Sequence, residues 1–259
     1  SSAASDVYKR QALGFIMDYE RMEFREAIES LAQAAGMELP AEEADAAPQI
    51  AHQKPLNESM EKATRLYESL LRKHPTRGRV VDYLKQRGLS GEIARDFRLG
   101  FAPEGWDNLM STLSSEEDIE HALTAGLLIE NDSGRKYDRF RDRVIFPIVN
   151  QRGKVIAMGG RVLGDGKPKY INSPETPLFS KSHELYGLHH IRKFAKNLSR
   201  IVVVEGYMDV IALAQFGIHY AVATLGTSVS KPHLEMLFRR VDQVVFCFDG
   251  DEAGRKAAF

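Results

Sequence analysis

At 259 residues, 43% hydrophobic and 27% charged, the chain has enough material for one or two buried cores, and two is the expectation. Its longest apolar stretches, such as Ile201 to Val204, are strand-length, which excludes a membrane-spanning helix, and a single cysteine, Cys247, excludes both a disulfide framework and a cysteine zinc site within it. The formal net charge of -1 argues against a uniformly basic nucleic-acid binder, yet residues 135–169 hold ten Lys/Arg against three Asp.

Residues 1–11, SSAASDVYKRQ, lack the basic and apolar regions of a secretory signal and read as a non-native-looking leader outside the fold. From Ala12 to Met37 apolar residues recur at helical spacing (Phe15, Ile16, Tyr19, Phe24, Ile28, Leu31), and Gly36 and Pro40 punctuate the end. Residues 41–55 are rich in Ala, Pro and acids without periodicity and read as a linker. Helices are then expected at 57–73 behind an Asn57 cap, at Arg79–Arg87 ended by Gly88, and over SGEIARDF behind Ser90. A strand at Arg98–Ala102 and helices at Trp106–Leu113 and Ser115–Thr124 complete a mostly helical half. Its sole tryptophan, Trp106, reads as a core anchor.

Between Val144 and Tyr170 the pattern changes to short β runs, VIFPIVN, KVIAMGGRVL and PKYINS, the first two joined as a hairpin around Gln151–Gly153. This antiparallel element carries the basic charge. From Arg200 onward strands and helices alternate: IVVVE, GYMDVIALAQFG, YAVATLG, SKPHLEMLFRRV and QVVFCFDGD. That rhythm gives a parallel sheet with helical crossovers. Cys247, inside VVFCF, is expected to be a small core residue. His183 and the His189–His190 pair lack metal-ligand spacing and read as surface or capping groups.

Glu205 ends one apolar strand, and Asp249 and Asp251 end another, so all three face the crevice beyond the carboxyl ends where open parallel sheets bind ligands. Asp209, in the first turn after Glu205, is close enough to join them. Converging carboxylates repel, and a hard divalent cation is their natural neutraliser; Mg²⁺ fits best, with Mn²⁺ as the alternate. Each acid alone has a plainer explanation, as a helix cap, a turn residue or a solvated helix position. The basic segment offers Arg141, Arg143, Arg161, Lys169 and Lys181 for phosphates, and Tyr170 and Asn172 for stacking and hydrogen bonding. Gly159 and Gly160, beside Arg161, are expected to let the backbone approach a ligand.

VVVEGYMDVIAL, ATLGTS and FDGDEAGRKAA resemble the toprim fold shared by primases, topoisomerases and some nucleases. RFRDRVIFPIVNQRGKVIAMGGRVLGDGKPKYINSPETPLFSKSHELYGL resembles the basic region of bacterial DnaG-type primases, and FIMDYERMEFREAIESLA the stretch after their zinc-binding domain. The likeness preserves order from about Ala12 to the last residue. It implies an α/β chain: a helical segment at 12–40, a mixed, basic α+β catalytic-core subdomain at 56–199, and a toprim domain at 200–259 with a Rossmann-like parallel sheet.

The resemblance further implies Mg²⁺-dependent synthesis of RNA primers on single-stranded DNA. Glu205 would do acid/base work and Asp249 and Asp251 would hold metal, with Asp209 beside them. Template, primer and nucleoside triphosphates would be the partners of a monomeric, cytoplasmic core. It also implies remaining toprim strands beyond Phe259, a zinc-binding domain before the chain and a helicase-binding domain after it. The alternatives are another toprim enzyme, a topoisomerase or nuclease, and a non-catalytic nucleic-acid or helicase-binding module.

Overall fold

The computed structural model describes residues 46–194 and 198–250, together with position 31. Apart from position 31, the helix expected over Ala12–Met37 lies outside the described residues, as do the leader at 1–11 and Asp251. All contacts below fall within the compact unit of residues 51–259.

Helix α1 spans Ala46–Lys73 with Pro55 inside it, so residues 46–55, expected as linker, are helical and Asn57 is no cap. Asn57 Nδ2 instead donates to the Gln53 carbonyl at 2.7 Å. The proline signal is overridden by burial: Leu56, Met60, Ala63 and Tyr67 recur on one face and are sealed in a core with Phe140, Ile145 and Met158. Burying each such large side chain contributes about 1.5–3 kcal/mol.

Helices α2 (Gly78–Gln86) and α3 (Gly91–Asp96) follow as expected, α3 capped by Ser90, whose Oγ accepts from Ile93 N–H at 3.2 Å. Strand β1 (Gly100–Ala102) comes next. The helix expected over Trp106–Leu113 is only a 3₁₀ turn at Met110–Thr112. Its reason is Asp138, fully buried, whose carboxylate accepts from the N–H groups of Leu109 at 2.7 Å and Met110 at 3.0 Å. A buried carboxylate needs those donors, and they tie the turn to a distant strand. Helix α4 (Glu116–Thr124) leads into a hairpin unforeseen from the sequence, β2 (Leu128–Glu130) with β3 (Lys136–Asp138).

The antiparallel sheet has the order β1-β4-β5-β6, with β4 at Arg143–Val149, β5 at Val155–Val162 and β6 at Tyr170–Asn172. Phe146 pairs with Gly159 and Arg161 with Tyr170, and the hairpin turns around Gln151–Gly153 as its glycine, at φ 78°, predicts. Helix α5 (Leu188–Phe194) then leads toward the second sheet.

That sheet is parallel, in the order β8-β7-β9, with β7 at Arg200–Val204, β8 at Ala221–Ala223 and β9 at Gln243–Cys247. The crossovers are α6 (Tyr207–Gln215) and α7 (Lys231–Phe238), giving the α/β fold expected. Ile201, Val203 and Val222 are buried with Leu188, Ile191, Leu237 and Val241. Cys247 departs from expectation: it is exposed, because β9 pairs only with β7 among the described strands and Phe246 beside it is also exposed. His190 is likewise no surface group but buried, stacked on Phe97 at 4.2 Å.

Candidate active site

Parallel pairing of β7 with β9 sets Val204 opposite Cys247, so Glu205 and Asp249 emerge from neighbouring strand ends. The Asp249 N–H donates to Glu205 Oε1 at 2.8 Å. One turn into α6, Asp209 reaches back to cap the helix, its Oδ2 accepting from Gly206 N–H at 3.0 Å. The capping bond occupies one oxygen, while partial desolvation, and then the charge of Asp249, raise the Asp209 carboxyl above its ordinary value. Thus Glu205 is bound to the backbone of Asp249, and Asp249 acts electrostatically on Asp209; Asp251 lies outside the described residues. No group of three metal-ligating side chains is complete among the described residues.

The basic residues separate into two kinds. Arg143 is 7% exposed and donates to the carbonyls of Pro168 at 2.9 Å and of Gly160 and Lys169 at 3.3 Å. It was expected to meet phosphates, but its guanidinium is enclosed by backbone acceptors and holds the Lys167–Tyr170 stretch in place; burial lowers its pKa. Lys169 and Tyr170, which that stretch presents, are exposed. Lys181 is held through its backbone, its N–H on Glu175 at 3.0 Å and its carbonyl on the buried His233 at 3.0 Å.

Asn172 does not present its amide to a ligand. Its Nδ2 donates to the Leu225 carbonyl at 2.8 Å and its Oδ1 accepts from the Tyr207 hydroxyl, so it joins β6 to the parallel-sheet domain. Gly159 and Gly160 also serve packing rather than ligand approach. A Cβ at Gly159 would lie 2.5 Å from the Tyr207 ring, and one at Gly160 would lie 2.7 Å from Phe140. Through Tyr207, packed at 6.4 Å from Tyr170, the basic sheet is brought beside Glu205 and Gly206.

Sequence reasoning missed Arg87, which lies within electrostatic reach of Asp209 and favours its ionised form. The signal was present: Arg87, the C-cap of α2, stands four residues after Tyr83, the spacing of helix neighbours. It misread Trp106, which is 53% exposed rather than a core anchor. The Arg141 guanidinium lies 4.2 Å from its ring centroid, Arg135 at 5.9 Å, and Tyr137 meets it edge-on at 5.2 Å. Arg141 also donates to the Asp138 carbonyl. An exposed indole flanked by two cations is the composition of a base-stacking platform with phosphate contacts.

Residues 66–192 match the DNA primase catalytic core, N-terminal domain, and residues 202–259 match the Toprim-like family. A curated DNA primase from Pseudomonas putida is 60% identical over 252 residues, covering 96% of this chain and 38% of that protein. The chain therefore spans well under half the length of such relatives. A structure of the DnaG primase catalytic domain bound to ssDNA superposes with TM-score 0.77 at 47% identity, covering 81% of this chain and 65% of that one. The crystal structure of the RNA polymerase domain of Mycobacterium tuberculosis primase DnaG does so with TM-score 0.69 at 36% identity, covering 78% and 69%. With an acidic crevice at parallel strand ends, a basic antiparallel sheet beside it and this likeness across both, the chain belongs to the DnaG-type DNA primase family, in its catalytic core and Toprim-like part.

Proposed function

We propose that this chain is the catalytic part of a DNA primase, a nucleotidyltransferase that synthesises short RNA primers on single-stranded DNA. The observation that carries the reading is the hydrogen bond from Asp249 N–H to Glu205, which fixes the Glu205 carboxylate against the backbone of Asp249 at the strand ends, beside a cationic, aromatic surface. Glu205, exposed, takes the proton of the attacking 3′-hydroxyl or holds it for transfer. Arg161, Lys169 and Lys181 offset the charge of triphosphate and strand, while Trp106 and Arg141 hold template bases and phosphates.

The donor chemistry fits a hard divalent cation, since the acids at the strand ends offer only oxygens. Glu205, Asp209 and Asp249, with Asp251, would hold Mg²⁺ or Mn²⁺, which supplies charge neutralisation at the reacting phosphate. We further assign residues 56–199 to the basic catalytic-core subdomain and 200–259 to the toprim domain, in a cytoplasmic protein whose partners include nucleoside triphosphates and a replicative helicase. A zinc-binding domain belongs to the same reading. No described helix is long and apolar enough to cross a membrane.

The test is Mg²⁺- or Mn²⁺-dependent incorporation of ribonucleotides on single-stranded DNA by the full-length protein. Replacing both Asp249 and Asp251 by Ala abolishes it with the fold retained; full activity in that double variant sinks the assignment.

A further inference from the structure

Arg161 is held between two rings. Its guanidinium carbon lies 4.3 Å from the centroid of Tyr83 and 5.8 Å from that of Tyr170. Its Nε is buried with no hydrogen-bond partner, and Nη1 reaches the Val162 carbonyl at 3.3 Å. Strand hydrogen bonds therefore do little to fix the head group; the aromatic faces do. Arg87 stands beside the same ring, 5.6 Å from the Tyr83 centroid. The Tyr83 hydroxyl is buried and has no partner in hydrogen-bond geometry; burial raises its pKa, while Arg161, and then Arg87, favour its ionised form. Both guanidinium groups lie against the ring.

Helix α2, which carries Tyr83 and ends at the C-cap Arg87, is tied to the helix that carries Asp209. Immediately after α2, the Ser90 N–H donates to Gln215 Oε1 at the end of α6 at 2.8 Å. Arg87, next to the end of α2, is thus referenced to the acidic crevice through that bond, and Arg161 through its place in β5.

We propose that Tyr83 is a positioning residue for phosphate recognition, its ring spacing the guanidinium groups of Arg161 and Arg87 so that together they receive the triphosphate of a nucleotide entering beside Glu205, Asp209 and Asp249. This rests on the proposed nucleotidyl transfer but does not require that transfer to be measured. A planar guanidinium stacked on an aromatic face keeps its N–H edges free and aimed, whereas the same group on an aliphatic neighbour sweeps a cone.

The experiment titrates Mg²⁺–ATP and inorganic tripolyphosphate into the full-length protein by calorimetry, alongside thermal unfolding. Tyr83→Leu weakens both probes about tenfold, Tyr83→Phe stays within about twofold of the parent, and Tyr83→Leu combined with Arg161→Leu loses little more than Arg161→Leu alone. In primer synthesis the same Tyr83→Leu change raises KM for nucleotides with kcat little altered, and Tyr83→Phe restores it. The inference is overturned if Tyr83→Leu binds like the parent, if Tyr83→Phe is as damaging as Tyr83→Leu, if the double variant is additive, or if the parent binds neither probe. A parent that binds both probes in this pattern yet makes no primers overturns the proposed function and leaves the role of Tyr83 standing.

Discussion

Glu205 accepts a hydrogen bond from the backbone of Asp249, so the acid on one strand is oriented by the main chain of its parallel neighbour. A side chain fixed by backbone is aimed without a second side chain having to be ordered. The same bond separates the chemical role of Glu205 from its structural one.

Glu205→Gln keeps an oxygen for the Asp249 N–H and removes the charge. Primer synthesis is expected to fall about hundredfold or more, with the thermal midpoint unchanged. Steady-state incorporation and a melting curve on one preparation check it; activity within a few-fold of the parent refutes a role in proton transfer.

Trp106→Ala removes the exposed ring that carries Arg141 and Arg135. Affinity for single-stranded DNA should drop roughly tenfold, from a stacking contribution of about 1–3 kcal/mol, with affinity for Mg²⁺–ATP retained. Fluorescence anisotropy with a labelled oligonucleotide measures the first and calorimetry the second. Equal DNA affinity in parent and variant would return Trp106 to a purely structural role.

Buried His190, stacked on Phe97 and hydrogen-bonded to His219 at 3.1 Å, is pushed down to about 4 by desolvation, with His219 adding to the effect. Its folded pKa lies below its unfolded one, so the stability it contributes is present above about pH 6.5 and is lost as pH falls toward 4. The change over that window is on the order of a few kcal/mol at most. In His190→Phe, urea midpoints should decline less steeply from pH 6.5 to 4 than in the parent; parallel declines count against the assignment.

Gly159→Ala places a methyl 2.5 Å from the Tyr207 ring, where only rearrangement can relieve the contact. A loss of about 1–3 kcal/mol is expected, together with reduced activity, because Tyr207 holds Asn172. Denaturant unfolding of the variant against the parent gives the figure.

Where the chain obeys local rules, its structure was legible. Ser90, the Gln151–Gly153 turn and the alternation after Arg200 name their own elements, and the strand-end position of Glu205 and Asp249 follows from that alternation. Residues whose surroundings come from elsewhere in the chain were misjudged. Pro55 is tolerated because Leu56, Met60 and Ala63 have a sheet to bury against, and Asp138 replaces a helix with a turn from 28 residues away. Arg143, Arg161 and Lys169 look alike in sequence; only the fold encloses the first, stacks the second and exposes the third.

Asn172 links the strand that displays Tyr170 to the loop at Leu225 and to the ring that follows Glu205 and Gly206. One amide thereby serves as the dowel between the surface proposed to grip a polymer and the crevice proposed to join its units. An error there would alter no charge among the strand-end acids and remove none of the cationic groups; it would put β6 and the acids out of step, and on the proposed function template binding would be normal while extension was poor.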